Sequence, residues 1–133
     1  MIYNDLIADF NLYLCEKFGY RDSCSVMRNV NGICVSVSER ELDLYIRFWE
    51  YSGGIGNFPD WSIIIVRSNF KKNQEKNLKD LARFIKEYMP RYGYKYLCTE
   101  GDGYRYYHTL GLKLVKKELF EHNYALALKD LNV

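Results

Sequence analysis

The sequence predicts a mixed α+β fold in which one central sheet carries helices on both faces. Three observations carry that expectation. Residues 4–18 and a stretch starting within 69–73 and stopping at Pro90 place apolar side chains at helical spacing. Residues 33–48 switch to period two. "WSIIIV" at 61–66 is almost continuously apolar, as a strand covered on both faces should be.

The elements follow in order. Asn4 is placed to cap the first helix, in which Tyr3, Ile7, Phe10, Leu14 and Phe18 recur and Gly19 supplies the stop. Residues 23–30 suit a strand or a short helix equally, and Asn31-Gly32 reads as a turn. Ile33, Val35 and Val37 alternate with Cys34, Ser36 and Ser38, so this strand has one wet face. A polar turn at 39–41 leads to Leu42, Leu44, Ile46 and Phe48 on one face of the next strand. "GGIGNFPD" (53–60) reads as a flexible loop before the central strand. In the long helix Leu78, Leu81, Ala82, Ile85 and Met89 mark the buried side. "YKYLCTE" (94–100) is a strand, and Asp102 is placed to cap a short tyrosine-rich helix that Gly111 ends. "LKLVKK" (112–117) and "NYALALKDL" (123–131) close the chain as strands. Strand–helix–strand alternation gives a sheet with helices on both sides.

A chain of 133 residues fits a single domain, 1–133, with a buried core. Nineteen Lys+Arg against seventeen Asp+Glu leave a net charge of +2, which supplies no electrostatic case for nucleic acid or an anionic membrane. Thirteen tyrosines alone do not make a single-strand stacking platform without a basic excess. The start of the chain lacks the basic and apolar regions of a signal peptide, so a cytoplasmic protein is expected, in the host cytoplasm if the chain is viral. Cys15, Cys24, Cys34 and Cys98 form no C-x-x-C pair, and with two histidines a zinc site is not expected.

Candidate chemistry clusters late in the chain. "GYRYYHTLGL" (103–112) places Tyr104, Tyr107 and Leu110 at i, i+3 and i+6, which also suits a plain buried face. Glu50, Asp60, Glu100 and Asp102 are the candidate general bases. "GGIG" (53–56) joins two strands and opens no helix, so it is no phosphate loop. His108 sits beside Tyr107 on another helical face, and no Ser–His–Asp or Cys–His arrangement can be built.

From Trp61 to Leu112 the order of elements, ending in Tyr107-His108-Thr109-Leu110-Gly111-Leu112, resembles the GNAT N-acetyltransferase superfamily. Leu112 stands where the family usually has Phe. The resemblance implies a mostly antiparallel sheet with one parallel, splayed pair that takes acetyl-CoA as co-substrate. It implies that Tyr107 protonates the departing thiolate, since a phenol of pKa ~10 keeps its proton at neutral pH. Main-chain donors at Ile65, Val66 and Arg67 would polarise the thioester carbonyl. Lys71, Lys72, Gln74, Lys76 and Asn77 would lie beside the phosphates, with an unknown amine on a small molecule or protein as acceptor.

Two departures stand out. "SNFKKNQEKNL" has no glycine where the family cradles pyrophosphate with main-chain amides. Glu100 replaces a family Asn that contacts the pantetheine arm. These departures leave a second expectation open: a non-catalytic GNAT-fold protein, binding a protein partner as an accessory of a phage or mobile element.

Overall fold

The computed structural model describes residues 2–101, 108–118 and 121–133. Among them are two α-helices, α1 (Ile2–Phe18) and α2 (Gln74–Tyr88). The strands are β1 (Cys24–Arg28), β2 (Gly32–Ser38), β3 (Leu42–Trp49), β4 (Ser62–Phe70), β5 (Tyr96–Glu100), β6 (Lys113–Glu118) and β7 (Glu121–Ala127). They form one sheet in the order β1-β2-β3-β4-β5-β7-β6. Only β4 and β5 run parallel, and α2 is the crossover such a pair requires. Every other neighbouring pair is antiparallel. The expected mixed fold, mostly antiparallel with one parallel pair, is therefore present.

The main core lies on one face of the sheet. Leu6, Phe10 and Leu14 of α1 and Leu78, Leu81, Ala82, Phe84 and Ile85 of α2 pack with the even residues of β3 and with Ile63 and Ile65 of β4. Phe10 meets Phe48 and Phe84 edge-on, at 6.3 Å and 5.8 Å between ring centres. Both described helices thus share one face, instead of flanking the sheet as expected. The opposite face carries a smaller cluster of Trp49, Phe58, Ile64, Cys98 and Ala125. It is covered by the glycine loop, which the alternation of strand residues could not reveal.

That loop is pinned rather than free. Ser52 Oγ donates to the Phe58 carbonyl (2.6 Å), Asn123 Nδ2 to the Gly56 carbonyl (3.0 Å), and Asn57 Nδ2 to the Val115 carbonyl (3.0 Å). Gly56 has φ 63°, and a Cβ there would stand 2.6 Å from the Phe58 ring, so only glycine fits.

Several boundaries move for local reasons. Helix α1 starts at Ile2, placing Asn4 inside the first turn, where Tyr3 anchors the helix to Glu50 through a 2.5 Å hydrogen bond. The ambiguous stretch 23–30 is a strand, β1. Helix α2 starts one residue beyond the expected window, with Asn73 as its N-cap. Strand β4 runs four residues beyond the apolar stretch, because Ser68 and Phe70 turn inward and pairing with β3 continues to Leu42↔Phe70. Strand β7 stops at Ala127. A 3₁₀ turn, Leu128–Asp130, replaces its expected end, with the Leu128 N–H drawn to the Lys95 carbonyl at 2.8 Å. The four cysteines are free thiols. No group of three or more potential metal ligands occurs among the described residues, and no described helix is long and apolar enough to cross a membrane.

Candidate active site

Strands β4 and β5 are paired neighbours over only part of β4, because β5 ends at Glu100. Their pairing runs from Ser62↔Tyr96 to Ile65↔Thr99 and ends there, although β4 continues to Phe70. Beyond that point β4 stays with β3, and Glu100 of β5 stays with Asn123 of β7. At the same level the β3–β4 register slips: Tyr45 pairs with Arg67 and Ile46 with Ile65, leaving Val66 as an extra residue. This is a β-bulge, which bends the strand and re-aims its groups. Val66 packs with the cluster on the loop-covered face, and the Arg67 guanidinium lies 5.8 Å from the Tyr45 ring centre on that same face. From Val66 onward the β4 edge thus has no β5 partner, and this fork, where β4 outruns β5, lies on the stretch that leads to α2.

Thr99 stands at the root of the fork. It is fully buried, and its hydroxyl has no hydrogen-bond partner among the described residues. Separately, an open cavity of about 880 Å³ lies along the first turns of α2, lined by Gln74, Lys76, Lys79, Arg83 and Thr109 among others. Asn73, the N-cap of α2, takes the left-handed conformation (φ 53°, ψ 50°) and makes no side-chain cap bond. Asparagine tolerates that conformation better than other non-glycine residues. The first amides of α2 therefore receive no bond from the Asn73 side chain and form the positive end of the helix dipole.

The sequence candidates divide accordingly. Ile65, Val66 and Arg67 lie on β4 at the fork, while Gln74 and Lys76 line the cavity. The Gln74 amide is already engaged: Oε1 accepts from the Phe70 N–H (2.6 Å) and Nε2 donates to the Ser68 carbonyl (2.7 Å), tying β4 to the helix start. Asn77 donates to the Lys72 carbonyl at 2.8 Å, closing the turn. Lys71 and Lys72 are exposed and lie outside the cavity lining. Tyr107 and Asp102 lie outside the described residues. Thr109, two residues after Tyr107, is on the cavity wall.

The carboxylates separate as well. Glu50 follows β3 at the level where Trp49 pairs with Ser62, the start of β4, so roughly 13 Å of strand lies between it and the bulge. It accepts the Tyr3 hydroxyl, whose pKa burial and this carboxylate push up to about 12. Asp60 accepts the Ser52 N–H at 2.9 Å at that same end. Glu100 is the carboxylate at the fork, and it is held by Arg47 Nη1 at 2.6 Å.

Arg47, Lys79 and Arg83 escaped the sequence reading. Lys76, Lys79 and Arg83 share one stripe of α2 at i, i+3 and i+7, a signal available from helical period alone. The cavity is not uniformly basic. Glu75 lies 3.6 Å from Lys79, and Asp80 accepts from Lys17 and, at 2.7 Å, from Arg83. Burial would raise the Asp80 carboxyl, but these cations together hold it below the ordinary carboxylate value.

No family model matches the chain, and no curated protein matches it. Among solved structures, the crystal structure of a probable acetyltransferase from Staphylococcus epidermidis ATCC 12228 aligns with a TM-score of 0.49. Identity is 13% over 71% of this chain and 67% of that one.

Proposed function

We propose that the chain is an acyl-CoA-dependent N-acetyltransferase that moves acetyl from acetyl-CoA to an amine. One observation carries the reading: the parallel β4–β5 pairing ends at Ile65↔Thr99, at the level where Val66 bulges from β4. A crevice at the carboxyl ends of parallel strands, beside a helix start, is a general ligand position in such sheets. The residues fit an anionic, pantetheine-bearing co-substrate. The α2 amides, to which Asn73 makes no side-chain cap bond, suit phosphates together with Lys76 and Lys79, and the unpaired β4 edge beyond Ile65 offers main-chain groups to an extended arm.

Bound acetyl-CoA supplies an activated acetyl thioester. Main-chain donors near Val66 stabilise charge on the thioester oxygen as the amine lone pair forms the new C–N bond. As the C–S bond breaks, Tyr107 gives its phenolic proton to the departing thiolate, and Glu100 accepts the proton lost from nitrogen. Tyr107 takes this part through its place in the Tyr-x-x-Leu-Gly ending.

The test is calorimetric binding of acetyl-CoA, followed by turnover with an amine panel for the native chain and Tyr107→Phe. Binding in the micromolar range and a loss of kcat of about 10²-fold or more in Tyr107→Phe are expected. Undiminished turnover in that variant removes Tyr107 from the mechanism. A second reading, a non-catalytic binding protein, is favoured by the internal engagement of Gln74, the first residue of α2, beside a β4–α2 connection that lacks glycine. Stoichiometric co-purification of a protein partner, together with no acetyl-CoA binding at low salt, would put that reading first.

A further inference from the structure

The ion pair at the fork joins strands that are not neighbours. Arg47 belongs to β3 and Glu100 to β5, with β4 between them. Arg47 is level with Ile64 across the β3–β4 pairing, and Ile64 is level with Cys98. The guanidinium therefore crosses β4 and reaches two residues further along β5, to the position just past the last β4–β5 pair. Two aromatic rings of β3 flank it, Trp49 at 5.1 Å and Tyr45 at 5.7 Å from ring centre to guanidinium carbon. Such cation–π contacts steady a planar guanidinium that a flexible ammonium would not replace. Arg47 and Glu100 keep 22% and 31% of their side-chain surface exposed, so solvent and solutes reach the pair.

One carboxylate oxygen, Oε2, takes the Arg47 bond, and Oε1 accepts no hydrogen bond among the described residues. A carboxylate held at one oxygen keeps the other in a fixed direction while remaining an acceptor. We infer that Arg47 is a positioning residue: braced by Trp49 and Tyr45, it aims Glu100 Oε1 at the ammonium of a cationic acceptor on the loop-covered face of the fork. This rests on the acetyltransferase reading and adds to it the residue that sets the direction of the base toward an amine that arrives protonated. Glu100 Oε1 binds that ammonium and passes its first proton to the solvent that reaches the pair, so the neutral amine attacks and the carboxylate is free again to accept the second proton as the amide forms. Arg47 touches neither nitrogen nor thioester.

The experiment measures KM and kcat for spermidine, lysine methyl ester and tryptamine with saturating acetyl-CoA. The proteins are the native chain, Arg47→Ala, Arg47→Lys, Glu100→Gln and the Arg47→Ala/Glu100→Gln double variant. Arg47→Ala should raise the amine KM roughly three- to tenfold while the acetyl-CoA KM stays within twofold. Arg47→Lys should recover only part of the loss, because lysine lacks the planar fork. The double variant should be no worse than Glu100→Gln alone, since both changes remove one unit. Folding of each variant is checked by its melting temperature, and Arg47→Lys keeps the test open if Arg47→Ala does not fold. An unchanged amine KM in both Arg47 variants, or additive losses in the double variant, overturns the assignment and leaves the acetyltransferase reading standing. A native chain that binds no acetyl-CoA, or that acetylates none of these amines, overturns the Arg47 assignment too, and the binding measurement separates the two failures.

Discussion

At the scale of single residues, the molecule's charges work mostly in local pairs. Asp80 is the clearest case, with Lys17 of α1 and Arg83 of its own helix both donating to it. Because the folded state holds this carboxyl below its unfolded value of ~3.9, the unfolded chain binds the proton more readily in acid. The contribution is therefore complete above about pH 4 and is lost as pH falls through the lowered folded value. Asp80→Asn should cost on the order of 1 kcal/mol at pH 7. Urea unfolding at pH 7 and at pH 3 should show the native chain's advantage shrinking with acid. A difference that is the same at both pH values would assign the loss to packing instead of charge.

At the scale of elements, aromatic contacts fix the helices to the sheet. Phe10 is fully buried and touches β3 through Phe48 and α2 through Phe84, so it joins three elements. Tyr13 stacks on Phe84 at 4.4 Å and extends the same seam. Truncating Phe10 to alanine removes its edge-on contacts with Tyr13, Phe48 and Phe84 and leaves a cavity, and should cost about 3–5 kcal/mol. Leu12, one turn face away and 56% exposed, serves as the control, and Leu12→Ala should change stability by less than about 0.5 kcal/mol. Denaturant midpoints of the two variants measure this. Similar midpoints would mean that α1 is not docked through Phe10.

At the scale of the whole molecule, a net charge of +2 leaves cations mixed with carboxylates on the cavity wall, where Glu75 pairs with Lys79 and Asp80 with Arg83. Lys76, Lys79 and Arg83 line the cavity along α2, while Lys71 and Lys72 stand apart from it. Attraction between exposed charges is screened over ~8 Å at physiological salt. Coenzyme A affinity should thus fall clearly between low and moderate salt. It should fall further in Lys76→Ala/Lys79→Ala than in Lys71→Ala/Lys72→Ala. Titration calorimetry at two ionic strengths reads both effects, and affinity indifferent to salt and to both double variants would exclude lysine compensation for the missing glycines.

Period and punctuation settled most of the elements before any coordinates. The stripe Leu78, Leu81, Ala82, Ile85 and Met89 is buried as helical spacing required, and "SIII" lies in a strand covered on both sides. Ile65, Val66 and Arg67 also come together at one point, because neighbours in sequence remain neighbours in a strand. What the sequence could not determine depends on elements far apart in the chain. Nothing local says that α1 and α2 share one face, since each helix's apolar stripe is equally satisfied on either side of a sheet. Nothing local separates Glu50 from Glu100: each carboxylate closes a strand, and only the parallel pairing of β4 with β5 puts one at the fork and the other at its far end. The Arg47–Glu100 pair spans 53 residues and crosses an intervening strand. Side-chain chemistry told which groups needed partners, and the tertiary fold alone chose them.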